Sequence, residues 1–241
     1  MLTAQSYRMI KLAIRNTLSL FFPKLCLSCG QPLPDDNAYI CLLCETQLPE
    51  TEHWHKKENT FLQRFIYDKR IESAAALYYF TKNSGVQHLI HKIKYKDQRE
   101  PALQLGRLLG DKINQSDFFK NIDFILPVPM HPRKKRERGF NQAEVLAQGI
   151  SEKTGWRIDT GILRKVKYTN VQAQSKYSER LQNVFAAYQC VNATGCKNKR
   201  ILIVDDVATT GATLQTCCDA ILEKEPQCQL FVVTLAFTAL N

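Results

Sequence analysis

Two adjacent acidic residues beside a hydroxyl-rich loop form the part of the sequence best suited to chemistry. An apolar, β-branched run at residues 201–204 is followed at once by Asp205 and Asp206. Small residues come next, and a helical pattern begins near Thr213. A continuous apolar run is typical of a strand buried on both faces of a parallel sheet. The stretch therefore predicts a site for phosphate and ribose.

Each part of this stretch has a physical reason to bind such a ligand. Unpaired N–H groups at a helix N-terminus carry partial positive charge and can hold a phosphate. Gly211 lets the backbone approach closely, and the carboxylates can accept hydrogen bonds from ribose hydroxyls or hold a divalent cation. The alternative is a buried strand followed by an ordinary capped helix. The stretch lacks the Gly-Lys-Ser/Thr of a P-loop and the glycines of a Rossmann fingerprint.

Two cysteine pairs near the N-terminus predict a metal site. The pairs Cys26/Cys29 and Cys41/Cys44 each have Cys-x-x-Cys spacing, with eleven residues between them. This spacing favours zinc, and four thiolates leave no open position, so the ion would be structural. Gly30 can supply the turn that such a pair needs. Two disulfides are the alternative, which a reducing compartment disfavours.

Bulk composition indicates an anionic partner and a cytoplasmic location. The 241 residues carry a formal net charge of +10, which suits phosphorylated ligands or nucleic acid, although a solvated Lys/Arg face is the alternative. No segment is long and apolar enough to span a membrane, and no signal peptide is evident. Residues 1–22 show helical spacing of apolar residues and predict an amphipathic helix that packs on the protein. Attachment of this helix to a membrane surface is the alternative.

A basic segment follows a second short strand, expected at residues 123–129. Residues 130–141 contain five arginines and lysines and predict a loop. Because α/β sheets bind ligands outside the carboxyl ends of their strands, this loop could contact an anion; otherwise it is a solvated basic loop. Lys94 and Lys96 allow the same two interpretations.

The remaining pattern predicts further elements. A strand is expected at residues 73–80, and helices at residues 86–95, 101–113 and 140–150. Residues 50–70, including His53, Trp54 and His55, are interpreted as linker or surface. The long polar stretch at residues 163–185 predicts a mobile loop that covers the site, followed by a short helix capped by Ser178.

Three matches in one order resemble the ComF family of competence proteins. The cysteine pairs come first, followed by the segment from Pro127 to Gln142 with its Arg138-Gly-Phe-Asn-Gln motif. Thr169, Gln172, Arg180 and residues 183–185 then lead into the acidic stretch, which itself resembles the PRPP-binding motif of type I phosphoribosyltransferases. The resemblance covers residues 18 to 238. The family's Thr-Pro before the glutamine is replaced here by Thr169-Asn-Val-Gln172.

The resemblance implies an α/β fold, a type I phosphoribosyltransferase-like parallel sheet with flanking helices and a small zinc-binding module. With the N-terminal helix expected from spacing, the chain is predicted to have three parts: an N-terminal amphipathic helix at 1–22, a four-cysteine zinc module at 23–60 and a phosphoribosyltransferase-like domain at 70–241. Asp205 and Asp206 would be the catalytic pair, binding the ribose hydroxyls and positioning Mg²⁺ through them. The phosphate-binding residues would be Val207, Ala208, Thr209, Thr210, Gly211, Ala212, Thr213, Pro129, Met130, His131, Arg133, Lys134 and Arg138. The structural zinc ligands would be Cys26, Cys29, Cys41 and Cys44.

Two functions from different classes follow. The first is a factor of natural transformation and DNA uptake that binds PRPP-like phosphates and single-stranded DNA, with a possible helicase-like partner. Its basic segments, with Tyr168 and Tyr177 interleaved, suit a single strand through charge and stacking. The second is an active phosphoribosyltransferase that transfers phosphoribosyl from PRPP to a base or amine in nucleotide salvage.

Overall fold

The computed structural model describes residues 23–34, 38–65, 70–95, 98–166 and 187–239. The expected N-terminal helix lies outside these residues. So do Lys96, Ser178, Tyr168, Tyr177, the family match at Thr169 to Phe185 and most of the expected covering loop. Within the described ranges, no helix is long and apolar enough to cross a membrane.

A parallel sheet of five strands forms the centre of the fold. In chain order the strands are β1 (Ile71–Tyr79), β2 (Phe124–Pro127), β3 (Arg157–Ile158), β6 (Arg200–Ala208) and β7 (Gln229–Phe237). Their spatial order is β1-β7-β6-β2-β3, and every neighbouring pair is parallel. Two short strands, β4 (Leu163–Lys165) and β5 (Tyr188–Cys190), form a separate antiparallel pair. The predicted α/β fold with a parallel sheet is confirmed.

Helices cover both faces of the sheet. The helices are α1 (Leu42–Gln47), α2 (Gly85–Lys92), α3 (Arg99–Gln115), α4 (Pro132–Arg138), α5 (Gln142–Thr154) and α6 (Ala212–Leu222), with 3₁₀ turns at Leu62–Phe65 and Thr194–Cys196. One face of the sheet packs on α2, α3 and α5, and the other packs on α6 and the first 3₁₀ turn. The continuous apolar run of β6 is explained by this double cover, since residues 201–204 are fully buried.

Most expected elements are present with shifted ends. The strand expected at 73–80 spans Ile71–Tyr79, and the helix expected at 101–113 spans Arg99–Gln115. Pro101 lies in the first turn of that helix, where its missing N–H costs no hydrogen bond. Cys217 and Cys218 in α6 are buried and pack in the core between this helix and the sheet.

The interpretation of residues 50–70 as linker or surface is wrong for His53, Trp54 and the two phenylalanines, whereas His55 and about half of the described residues are exposed. His53 and Trp54 are only 3% and 2% exposed, and Phe61 and Phe65 are buried beside them. Glu50 forms a bridge with Tyr78 of β1, so this segment packs on the edge of the sheet. Burial lowers the pKa of His53 to about 4, and its Nδ1 accepts a hydrogen bond from the Ala76 N–H. His53 is therefore a neutral core histidine, and it takes no part in the cluster of possible metal ligands that the described residues form.

Candidate functional site

Asp205 and Asp206 lie at the carboxyl edge of the parallel sheet. Pro127 at the end of β2 pairs with Val204, and the Val128 N–H donates to the Val204 carbonyl at 2.8 Å. The segment after β2 therefore begins level with the two acids, as expected for strands that end at one edge. Strand β6 continues through both acids to Ala208, so they belong to the strand rather than to the loop that follows it.

The two carboxylates have different partners. Asp205 Oδ1 accepts a hydrogen bond from the Asp206 N–H at 2.9 Å, whereas Asp206 Oδ2 lies 3.4 Å from Lys94 Nζ. Burial, together with repulsion by the neighbouring Asp206, raises the pKa of Asp205 to about 8. A ligand that donates hydrogen bonds to the Asp205 carboxyl stabilises its charged form. Ribose hydroxyls are therefore suitable partners for this side chain.

The stretch at residues 207–213, which is expected to bind phosphate, forms a turn that leads into a helix. Gly211 has a φ of 80°, a left-handed conformation that favours glycine, and it stands directly before α6. Thr209 and Thr210 are exposed, Val207 and Thr213 are half-buried, and the Ala212 N–H donates to Thr210 Oγ1 at 3.3 Å. A hydroxyl-rich turn thus leads into the N-terminus of an eleven-residue helix, where an anion is stabilised.

The basic segment after β2 is a short helix, and the predicted loop is wrong. The His131 side chain caps α4 by accepting from the Arg133 N–H at 3.2 Å, and Pro132 occupies the first turn. The helix ends at Gly139, whose φ is 88°. These residues are ordinary sequence signals for the start and the end of a helix, although most of the residues between them are charged. Pro129 and Met130 lie half-buried between β2 and this helix.

The basic side chains of α4 differ in their partners and in their exposure. Arg133 pairs with Glu137 at 3.2 Å and Lys135 with Glu144 at 2.7 Å, and both basic residues are exposed. Lys134 is turned towards the acids: burial and the charges of Arg138, Lys165 and Lys94 lower its pKa, whereas Asp206 raises it. Among the expected phosphate contacts on this segment, Lys134 therefore lies near Asp206, whereas Arg138 donates to Gln142 Oε1 at 3.1 Å.

Three residues that the sequence did not single out also lie at this site. Lys165 in β4 donates to the Tyr188 hydroxyl at 3.0 Å; burial lowers its pKa and the charge of Asp205 raises it. Arg64 passes beside the phosphate loop, because a Cβ added to Gly211 would lie 3.8 Å from the Arg64 Cβ. These residues come from segments distant in sequence, so only the folded chain brings them together.

The four N-terminal cysteines form one cluster, as their spacing predicts. Their sulfur atoms all lie within 4.8 Å of one another, and Cys29 Sγ lies 3.8 Å from Cys41 Sγ. A tetrahedral zinc ion with Zn–S bonds of about 2.3 Å places its sulfurs at about this separation. Gly30 makes the expected turn with a φ of 77°. The cluster can therefore hold a zinc ion.

The fold shifts the pKa values of two thiols in the cluster. Burial alone would raise the pKa of Cys26, but backbone N–H groups of Cys29, Cys41 and Ser28 together lower it to about 6. Burial raises the pKa of Cys44 to about 12. A cation at the centre would favour all four thiolates, so metal binding and thiol deprotonation are coupled here.

Mg²⁺, which the resemblance implies beside PRPP, fits these side chains poorly as a direct ligand set. Mg²⁺ requires nearly octahedral oxygen coordination, and at phosphate sites one or two carboxylates with waters and phosphates can supply it. The number of carboxylates at the acidic edge therefore does not decide the fit, and their surroundings do. At the acidic edge two carboxylates are available, and one of them already contacts the ammonium of Lys94. A divalent cation bound to Asp206 would face that ammonium.

Comparison with known proteins defines the class to which this site belongs. The model of the phosphoribosyl transferase domain matches residues 94–239, which include β6, its acids and the following loop. The chain belongs to the phosphoribosyl transferase domain family.

Its relatives extend the likeness beyond that domain. The chain is 27% identical over 218 residues to the DNA utilization protein YhgH of Escherichia coli O6:H1, covering 84% of this chain and 92% of that protein. It is 25% identical over 206 residues to competence protein ComFC of Bacillus subtilis, covering 83% and 79%. It is 32% identical over 130 residues to competence protein F of Haemophilus influenzae, covering 52% and 57%. The resemblance to the ComF proteins is confirmed.

Proposed function

We propose that this chain is a ComF-like factor of DNA uptake or utilisation that binds a phosphorylated ribose ligand such as PRPP in the cytoplasm. The observation that carries the proposal is the set of lysines around two adjacent carboxylates, beside a glycine turn at a helix N-terminus. Carboxylates can accept hydrogen bonds from ribose hydroxyls. Lysine ammonium groups, and the unpaired backbone N–H groups at a helix N-terminus, can bind phosphates. The names of the relatives supply the link to DNA and competence.

The ligand would lie across the carboxyl edge of the sheet. Asp205 and Asp206 would accept hydrogen bonds from the ribose hydroxyls, and residues 208–213 would surround the 5′-phosphate. Lys134 and Arg138, with the backbone at residues 129–133, would face the pyrophosphate. Mg²⁺ is an expectation from the resemblance, and the ammonium beside Asp206 makes the acids poor direct ligands for it.

Loss of both acids should abolish binding of PRPP. In Asp205→Ala/Asp206→Ala the ribose hydroxyls lose both acceptors, and calorimetry with PRPP should show at least a hundredfold weaker binding, since hydrogen bonds to charged groups contribute about 1.5–3 kcal/mol each. Asp117→Ala is the matched control, because that aspartate is 94% exposed and its partner Lys120 lies by the amino end of β6, away from the carboxyl edge. If the double variant binds as tightly as the parent, the site is misassigned.

We further propose that the solvent side of α4 contacts single-stranded DNA. Arg133 and Arg136 are exposed, and five of the seven residues in the helix are basic. Such a surface attracts a phosphate backbone without reading its sequence. Lys134 faces the acids, so it serves the small ligand in this assignment rather than the strand. A helicase-like partner would act on the same DNA.

Reversing two of these charges should weaken DNA binding and its dependence on salt. For Arg133→Glu/Arg136→Glu, gel-shift titration with a single-stranded oligonucleotide should show at least tenfold lower affinity. The slope of log K against log salt should become shallower by about 1.4, because each phosphate that an arginine neutralises on a single strand contributes about 0.7 to the slope. Lys56→Glu/Lys57→Glu, which changes two lysines of 65% and 50% side-chain exposure, is the control. Binding that is absent in the parent, or insensitive to salt, contradicts this assignment.

Transfer of the phosphoribosyl group is the second candidate function, favoured by membership of the phosphoribosyl transferase domain family. Turnover of PRPP against a panel of bases and amines distinguishes the two. Release of pyrophosphate that depends on one acceptor supports the enzyme, whereas binding without turnover supports the DNA-uptake factor.

The division of the chain is proposed as three parts: a helix at 1–22, a zinc module at 23–60 and the phosphoribosyltransferase-like domain at 70–241. A zinc ion on the four thiolates would hold the module together. Because Glu50 pairs with Tyr78 and Thr51 donates to the Leu77 carbonyl, the C-terminal part of this module is joined to the sheet.

A further inference from the structure

Lys94 stands at the acidic edge without being part of the motif that carries the acids. It follows α2, and its ammonium lies 3.4 Å from Asp206 Oδ2. The two side chains are 26% and 14% exposed, so solvent screens this pair less than a surface pair. The neighbouring Ile93 is fully buried, which fixes the backbone from which Lys94 extends.

A buried amide connects Lys94 to the basic helix. Gln142, only 1% exposed, donates from Nε2 to the Lys94 carbonyl at 3.4 Å and accepts from Arg138 Nη1 through Oε1 at 3.1 Å. The preceding Asn141 donates to the Val128 carbonyl at 3.0 Å. The start of α5 therefore holds three parts of the site: the segment after β2, Arg138 and the backbone of Lys94.

The ammonium of Lys94 lies 3.4 Å from Asp206 Oδ2, so a divalent cation on this oxygen would have a positive charge beside it. Lys134 and Lys165 add positive charge around the same two carboxylates, as the effects of these charges on one another's pKa values indicate. A further divalent cation there would be repelled by each of them. An ammonium that is part of the chain supplies positive charge beside Asp206 without having to be taken from solution.

We propose that Lys94 is the built-in cation of this site, so that a phosphorylated ribose binds without a divalent metal ion. Lys94 neutralises Asp206 in the free protein and contacts a phosphate oxygen of the ligand in the complex. The inference rests on the proposed function, because it assumes that the ligand lies across Asp205 and Asp206. It goes further by assigning to one side chain the charge that Mg²⁺ would otherwise supply.

Calorimetry with PRPP in EDTA and in millimolar Mg²⁺ tests the inference. The parent protein should bind PRPP with dissociation constants that differ by less than about threefold between the two conditions. Lys94→Met, which keeps most of the aliphatic chain and removes the charge, should bind at least tenfold more weakly in EDTA. Mg²⁺ should then restore part of this loss, because removal of the ammonium leaves Asp206 free. Ribose 5-phosphate, titrated in parallel, shows whether the effect needs the pyrophosphate.

Lys92→Met is the matched control. Lys92 is the last residue of α2, is exposed, and lines a cleft beside the cysteine cluster rather than the acidic edge. It should bind PRPP like the parent in both conditions, and circular dichroism should show that both variants are folded.

Three other results would contradict either this inference or the proposed function. Parent binding that disappears in EDTA overturns the role of Lys94 and leaves the proposed function intact. The same holds if Lys94→Met binds like Lys92→Met. Absence of PRPP binding in both conditions overturns the proposed function, and this inference with it.

Discussion

Replacement of Cys26 by serine is expected to remove about one zinc ion per chain and to unfold the cysteine module. Cys26 is 2% exposed, and its sulfur accepts a hydrogen bond from the Cys41 N–H at 3.3 Å. Structural zinc contributes roughly 10–16 kcal/mol of apparent binding free energy in small modules. Apart from the cysteines, the small cluster around the thiols has only Leu33 as a buried apolar side chain among the described residues, whereas Leu27 packs in the main core. Burial within this cluster therefore cannot replace the metal.

The effect should be confined to the module and its contacts. Metal analysis should give about one zinc per chain for the parent and less than about 0.2 for Cys26→Ser. Hydrogen exchange should accelerate at residues 24–44, where backbone bonds such as Leu27 N–H to Tyr39 C=O depend on the knuckles, and change little in β6 and β7. Cys190→Ser removes a half-buried thiol outside the cluster and should keep the zinc. A Cys26→Ser protein that retains one zinc ion would show that the cluster does not bind metal through this thiol.

The features that the sequence predicts well depend on short segments of chain. A strand covered on both faces needs a continuous apolar run, and residues 201–204 have one. A thiolate pair needs two cysteines and a turn, and Gly30 follows Cys29 directly. In both cases the residues that determine the structure are neighbours in the chain, so the pattern is visible without the fold.

The features that the sequence misses depend on tertiary packing. His53 and Trp54 lie in a polar stretch, yet both are buried, His53 against Phe237 and Trp54 against Phe119. The ammonium partner of Asp206 comes from residue 94, and Lys165 and Arg64 come from two other segments. The sequence marks Lys94 as a lysine that could reach an anion, but it cannot show that the ammonium lies beside Asp206, because that position depends on how α2 packs on the sheet.

The substitution Gly149→Ala is expected to destabilise the fold and, through the fold, the site. A Cβ at Gly149 of α5 would lie 2.4 Å from the Leu103 carbonyl oxygen and 2.6 Å from the Arg107 backbone nitrogen, both in α3. Because these are backbone atoms, no side-chain rotation relieves the contact and the two helices must separate. We expect a loss of about 3 kcal/mol in the free energy of unfolding, which lowers Tm by roughly 6–12 °C in a chain of this size.

The same separation should weaken ligand binding at a distance. The first turn of α5 carries Gln142, which holds Arg138 and the backbone of Lys94, so a shift of α5 displaces two basic groups of the site. PRPP affinity should fall about tenfold at a temperature where the variant is still folded. Gly161→Ala is the control, because its nearest neighbour would be the Asp159 carboxylate at 3.5 Å, and its unfolding free energy should change by less than about 0.5 kcal/mol. A Gly149→Ala protein with unchanged Tm would mean that α3 and α5 do not cross this closely, whereas a lower Tm with unchanged PRPP affinity would separate the helix contact from the position of Lys94.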